Sequence, residues 1–508
     1  MALLSSFGSV RRGGPLAFAA GAASVAGFAP AGLSWLPLFS LALLLMLWAH
    51  APAPRRAALF GFLFGLGYFG VGVSWVYVSL HVFGMMPAPL AVAATLLFCA
   101  YLALFPALVG SLQARFNLPF AVRALLLVPA LWTLTEWLRS WLLTGFPWLA
   151  LGYSQADTPL AGYAPVAGVY AVSYALVFAA AALGCVVAVE TLARRLVAAS
   201  LVVPVYAAGL LLQQPEWTVT RGEPLSVGLV QGNIAQDLKF DPARYAAMLA
   251  MYRRLIESSS ARLVVLPETA VPRFLDLVDP DYLDALVEHA RSRGADILMG
   301  APFRDGAGRY YNGVVNLGTT ELQFYAKSHL VPLGEFVPPE LRWITSVLTI
   351  PLADFSRGGA RQRPLRAAGE RIAITICYED AFGEELIGQL PEASVLANLS
   401  NVAWFGDSLA PEQHLQISRL RAIETGRYMI RATNTGVTAI IDHRGRVVAQ
   451  LAQFSEGVLE GHAQPRSGAT PYVRWGNTPI LAGCALAVAV ALLLALWPRR
   501  WRGVRNRI

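Results

Sequence analysis

Long apolar runs succeed one another from Gly14 to Leu212, and one more covers Pro479 to Trp497. A run of about 20 apolar residues is the length of a helix that crosses a bilayer, where only a helix or a closed barrel can satisfy its own backbone polar groups. The 508 residues are 56% hydrophobic, more than a soluble core of that size absorbs. The runs predict helices near 14–30, 33–50, 58–80, 88–112, 123–143, 163–189, 195–213 and 478–497, a polytopic α-helical membrane domain of eight spans. The stretch between the seventh and eighth has an ordinary globular composition.

The formal net charge of +8 belongs to the apolar part. Residues 214–476 hold 26 Lys+Arg against 29 Asp+Glu, and the remainder holds 14 against 3. Arginines gather between the apolar runs, at Arg11/Arg12, Arg55/Arg56, Arg115/Arg123, Arg194/Arg195 and from Arg499 to Arg507. That is the positive-inside pattern, and it argues against nucleic acid as a partner. The loops around Pro30, from His81 to Pro87 and after Arg139 carry almost no basic charge and alternate to the outside. Eight crossings then leave both termini in the cytoplasm and residues 214–476 in the periplasm. A cleaved signal peptide is the rival for the first span, weakened by the spans that follow at once and by the missing flanking residues. The expected domains are 1–213 with seven helices, 214–476 as a globular unit, and 477–508 with the last helix and a basic tail.

Cys99, Cys185 and Cys484 lie in apolar runs, where a thiol is a small packing group. Cys377 is the lone cysteine of the globular segment and has no disulfide to form there. In that segment LSVGLVQGNI (225–234) reads as a buried strand and Asp241-Pro242 as the start of a helix to about Ser258. Then follow ARLVVLPETA (261–270), a helix at 281–293, DILMGAPF (296–303) and strands at 312–318 and 321–328. RIAITICYED (371–380), SVLANLSN (394–401), a helix at 410–426 and strands at 428–433, 436–442 and 445–450 complete it. Alternating strand and helix implies α/β layers. Residues 341–364 lack periodicity and read as a long arm, either functional or a disordered surface excursion.

Cys377 closes the apolar run Arg371–Ile376 just before Tyr378-Glu379-Asp380. Strand carboxyl ends are where α/β folds present catalytic groups, though an inert buried cysteine fits the position equally. Glu268 ends ARLVVLPE in the same way. A carboxylate at a dry rim is expected to have a raised pKa and could serve as a base, with an ordinary cap as the alternative. Lys327 stands out by rarity: the chain has 38 arginines and two lysines, Lys239 and Lys327. A compact ammonium can meet a developing oxyanion where a guanidinium cannot; chance retention is the bland reading.

Glu, Lys and Cys in this order at strand ends resemble the nitrilase (carbon–nitrogen hydrolase) superfamily over roughly residues 225–462. The resemblance is carried by LPETA around Glu268, FYAKSHLVPLGEFVP around Lys327 and Glu335, ICYED around Cys377, NLSNVAWFGDS and RLRAIETGRYMIRATNTG. It implies a four-layer αββα sandwich, a thioester on Cys377, Glu268 as general base, Lys327 at the tetrahedral intermediate, and Glu335, Tyr378 and Glu379 in support. Joined to seven spans before and one after, and to TGFPWLALGYSQ (144–155) and RWGNTP, the pattern is similar to the apolipoprotein N-acyltransferases. At 238–240 that family favours an aromatic, often Trp; Phe240 keeps the aromatic and loses the indole N–H.

The resemblance implies an enzyme of the bacterial inner membrane, monomeric and without cofactor or metal. It would move an acyl chain from a phospholipid, such as phosphatidylethanolamine, to the α-amine of a diacylglyceryl-cysteine lipoprotein. Glu136 and Arg139, spaced i,i+3 near the outer end of the fifth run, could hold a headgroup or form a local ion pair. Trp404 and Phe405 could touch acyl chains or be ordinary core. Two rivals stand: a membrane-tethered amidase or nitrilase of a small substrate, and a transporter or receptor with a dead domain. The intact trio and the lack of internal pseudo-symmetry count against the second.

Overall fold

The computed structural model describes residues 10–51, 53–188, 191–332, 334–337 and 354–496. Most of the arm expected at 341–364 lies outside the described residues; from Asp354 the chain is irregular until the next strand. Among the described residues, Ala88–Arg115, Phe120–Arg139, Pro159–Val186, Arg195–Leu212 and Thr478–Leu496 are long and apolar enough to cross a membrane. Pro54–Gly72 and Val76–Phe83, bent by 58°, qualify as a sixth when taken together.

The second expected span is shorter than the sequence suggested. Leu36–Ala49 has 14 residues, roughly 21 Å at 1.5 Å per residue, against a hydrocarbon core of about 30 Å, whereas Val10–Ser24 runs on as a 3-10 turn to Gly27. The apolar composition continues beyond them, but Pro30 and the turn at Gly32 break the helical path. Val10–Ser24 packs closely on Pro54–Gly72: a Cβ on Gly67 would sit 2.0 Å from the carbonyl oxygen of Phe18, so only glycine admits the approach. The helix Ala164–Ala188 is broken at Ala167 and Gly168, where φ is 75° at the glycine. The amide of Val169 freed by the break donates to Glu424 Oε1 at 2.6 Å, tying a membrane helix to the globular part.

Among the described residues fourteen strands follow: β1 (Thr218–Thr220), β2 (Leu225–Gln231), β3 (Leu263–Val265), β4 (Asp296–Arg304), β5 (Tyr310–Gly318), β6 (Gln323–Ala326), β7 (Leu365–Ala367), β8 (Glu370–Ile376), β9 (Val395–Ser400), β10 (Met429–Thr433), β11 (Ala439–Ile441), β12 (Val447–Gln450), β13 (Gly457–Ala463) and β14 (Arg466–Gly468). They form two six-stranded sheets, β13-β2-β3-β4-β5-β6 and β12-β11-β10-β9-β8-β7, and a ribbon β1-β14.

The strand period of two sorts the side chains. Val227, Leu229, Leu263, Val265 and Leu298 of the first sheet share one core with Ile372, Ile374, Ile376, Val395 and Ile430 of the second. Their neighbours Val230, Val264, Ile297 and Met299 face outward onto Tyr245–Ser258 and Pro280–Ser292, where Tyr252, Leu255 and Leu286 meet them. Ala373, Leu396 and Met429 likewise face Leu415 and Ala422 of Ala410–Thr425. Helix, sheet, sheet, helix is the sandwich expected. The helix expected from Asp241 begins at Tyr245 instead; Asp241 opens a turn, accepting the amide of Ala243 at 2.9 Å. The sequence reading also passed over β13, which closes the first sheet antiparallel to β2.

Candidate active site

Glu268, Lys327 and Cys377 converge from the ends of β3, β6 and β8. The parallel pairs β2-β3 and β8-β9 bring their carboxyl ends to one edge. Lys327 is 1% exposed, and its Nζ lies 3.1 Å from Glu268 Oε1 and 2.9 Å from Glu335 Oε1. Asn312, on β5, donates its amide to the same two oxygens at 2.8 and 2.7 Å. Glu268 Oε2 accepts the amide of Asn401 at 2.9 Å, and Glu335 Oε2 that of Val331 at 2.8 Å. Two carboxylates and an ammonium thus form a closed, hydrogen-bonded cluster.

Cys377 is buried and has a φ of 52°. A left-handed non-glycine residue costs on the order of 1–3 kcal/mol and persists only where its surroundings fix it. Here the Cys377 carbonyl accepts Asn398 Nδ2 at 3.0 Å and His414 Nε2 at 3.1 Å. Glu379 holds the turn from the other side: it accepts the amides of Ile376, Ser328 and His329 at 2.7, 2.6 and 3.0 Å and the Tyr325 hydroxyl at 3.1 Å. Burial raises its carboxyl to about 7. Tyr378 donates its hydroxyl to the Gly145 carbonyl at 2.7 Å and packs beside both Phe146 and Trp148, so the 144–155 motif forms a wall of the site.

The electrostatics correct one expectation. Burial pushes the Glu268 carboxyl up, but Lys327, Asn312 and Lys239 outweigh it, and the net shift is below the ordinary carboxylate range. Burial, and then the Glu268 charge, push the Cys377 thiol up, with Lys327 opposing. For Lys327 burial works against the charge, yet Glu268 and Glu335 hold the ammonium firmly protonated. The resting site is therefore thiol, carboxylate and ammonium. A nucleophile, a charged base and a fixed cation buried together are the parts of acyl-transfer chemistry through a covalent intermediate.

Lys239 was passed over, although its rarity equals that of Lys327. It is buried and donates to the Glu268 backbone carbonyl at 3.0 Å, and burial lowers its ammonium to about 8. Asn312 and Asn398 carried no sequence signal beyond being polar residues in apolar strands, and His414 carried none in a helix rich in polar residues. Phe240 is half-buried beside Lys239. Trp404 and Phe405 sit at the seam with the membrane part: Phe405 packs 4.5 Å from Trp75, Trp404 lies 6.1 Å from Phe83, and Ser79 donates to the Trp404 carbonyl at 2.8 Å. Glu136 and Arg139 both bond to the backbone of the segment that follows them. Both are buried; Glu136 accepts the Leu151 amide at 2.9 Å and Arg139 donates to the Trp148 carbonyl at 2.7 Å. They grip the wall that carries Trp148.

Residues 20–182 match the family described as apolipoprotein N-acyltransferase N-terminal domain, and residues 226–472 match carbon-nitrogen hydrolase. Among curated relatives, an apolipoprotein N-acyltransferase of Nitrosomonas europaea is 51% identical, over 95% of this chain and 98% of its own length. Proteins of the same name from Chromobacterium violaceum and Methylococcus capsulatus are 47% and 46% identical, over 95% and 91% of this chain and 93% and 92% of theirs.

Proposed function

Because this chain belongs to the apolipoprotein N-acyltransferase family, we propose that its Glu268–Lys327–Cys377 cluster carries the acyl chain as a thioester between a phospholipid and a lipoprotein amine. The chain is an acyltransferase of lipoprotein maturation, built from apolar helices and a nitrilase-like domain. The observation that carries the mechanism is the Lys327 ammonium, held between Glu268 and Glu335 in the pocket of Cys377.

In the first half-reaction Glu268 takes the thiol proton while sulfur attacks the ester carbonyl of the phospholipid. Lys327 and the amide of Tyr378 receive the oxyanion. The C–O bond breaks, Glu268 returns the proton to the leaving alkoxide, and lysophospholipid departs. In the second, the α-amine of the diacylglyceryl-cysteine attacks the thioester, Glu268 takes its proton, the C–N bond forms and the C–S bond breaks. The resulting thiolate recovers the proton from Glu268. Thiol and carboxylate are both restored, so the cycle closes without a cofactor.

The arginine distribution supports eight crossings with residues 1–213 and 477–508 in the membrane region, both termini cytoplasmic, and residues 214–476 in the periplasm of an inner membrane. Phosphatidylethanolamine is the proposed donor, and the enzyme acts as a monomer. An amidase of a small substrate is not favoured, since relatives named for N-acyl transfer match both halves of the chain. The test is intact-mass analysis of the purified protein in detergent micelles after exposure to phospholipid. One acyl mass is expected on the wild type and none on Cys377→Ser, whose alkoxide is hard to generate. A wild type without adduct refutes the thioester.

A further inference from the structure

We propose that His414 and Asn398 aim the oxyanion-binding amide of Tyr378 by pinning the carbonyl on the other edge of the same peptide group. The inference rests on the thioester reading above and adds two positioning residues to it. The Cys377–Tyr378 peptide is trans, so its C=O and N–H point in opposite directions and rotate together. Whatever grips the carbonyl of Cys377 sets where the N–H of Tyr378 points. Two side chains grip it: Asn398 Nδ2 from β9 at 3.0 Å, and His414 Nε2 from the helix Ala410–Thr425 at 3.1 Å. Donors on the carbonyl also polarise the N–H at the far end of the peptide.

The network behind them fixes the tautomer. Arg431 Nη2 lies 2.8 Å from His414 Nδ1; a guanidinium can only donate, so Nδ1 accepts and the ring proton sits on Nε2. That N–H is shared between the Cys377 carbonyl and Asp380 Oδ1, the latter at 2.7 Å. Arg431 also donates to Asn398 Oδ1 at 2.8 Å, which turns the Asn398 amide nitrogen toward Cys377. Asp380, His414 and Arg431 are all 1% exposed or less. The charged pair Asp380–Arg431 is thus buried directly behind the nucleophile, and the two side chains it orients, His414 and Asn398, converge on one carbonyl. The ring of His414 also packs 5.3 Å from Trp148 of the membrane part.

An alkylating agent separates aim from integrity, because alkylation of a thiol develops no oxyanion. Full-length protein in micelles is mixed with phospholipid, and separately with iodoacetamide, and both rates at Cys377 are read by intact mass. In His414→Leu the acyl adduct should form about tenfold or more slowly, while alkylation stays within about twofold of wild type. His414→Gln, whose amide can donate to the same carbonyl, should recover most of the acylation rate. Asn398→Ala carries the expectation of the leucine variant and decides the matter if that variant does not fold. Acylation unchanged in both His414→Leu and Asn398→Ala, or acylation and alkylation falling together, overturns the inference. A wild type that alkylates yet never acylates overturns the thioester reading instead.

Discussion

Lys327→Arg separates position from charge at the candidate active site. Lys327 is 1% exposed, with its Nζ 3.1 Å from Glu268 and 2.9 Å from Glu335. Arginine keeps the positive charge, so Glu268 remains ionised and able to accept the thiol proton. Its broader planar fork cannot place a donor at the same point without pushing the two carboxylates apart. Loss of one oxyanion donor costs about 3 kcal/mol, or about a hundredfold in rate. The assay is the time course of the acyl adduct on Cys377 after mixing with phospholipid micelles, quenched and weighed intact. Melting temperature and iodoacetamide reactivity report whether the pocket survives. A fall smaller than about threefold, a few tenths of a kcal/mol, would make Lys327 a generic cation and assign the oxyanion to other groups.

Glu268→Gln should fold but form no acyl adduct. In the wild type the depressed Glu268 carboxyl contributes stability that is present above its unfolded pKa, about 4.3, and lost as pH falls through the lower folded value. Thermal unfolding of the two proteins should therefore differ in pH slope below about pH 4, and identical slopes would refute the shift. Cysteine tags near Arg56 and near Arg309 should react with an impermeant reagent from opposite sides of the membrane; labelling from one side would sink the eight-span topology.

The strand-end residues were legible because a buried strand is a short apolar run, and its last residue stands out when it is Glu, Lys or Cys. Lys327 was found by its rarity, and the same reasoning applied to Lys239 would have found the contact with the Glu268 carbonyl. Asn312, Asn398 and His414 were illegible for another reason. Each matters through partners up to 44 residues away in the chain, and sequence spacing does not report such contacts. β13 was missed because it is an edge strand with Glu460 and His462 on its more exposed face, so its apolar alternation is faint. The expectation for Glu268 had the wrong sign because burial was foreseen while the opposing effect of Lys327, Asn312 and Lys239 was not. The short second helix shows the limit of composition: an apolar run bounds where a helix can lie, and the turn at Gly32 decides where it begins.

The wall formed by the 144–155 segment makes this chemistry answerable to the bilayer. Tyr378 is bonded to Gly145, Gln413 beside His414 accepts the indole N–H groups of Trp148 and Trp75, and Glu424 is clipped to a broken membrane helix. The two halves do not meet as a catalyst and its anchor, because one apolar core runs from Leu149 and Leu151 through to Ile374 and Ile417. A displacement of the membrane helices would reach the peptide that follows the nucleophile through bonded contacts. The rate of acyl-adduct formation is therefore expected to change between nanodiscs of different lipid length, and an unchanged rate would refute the link.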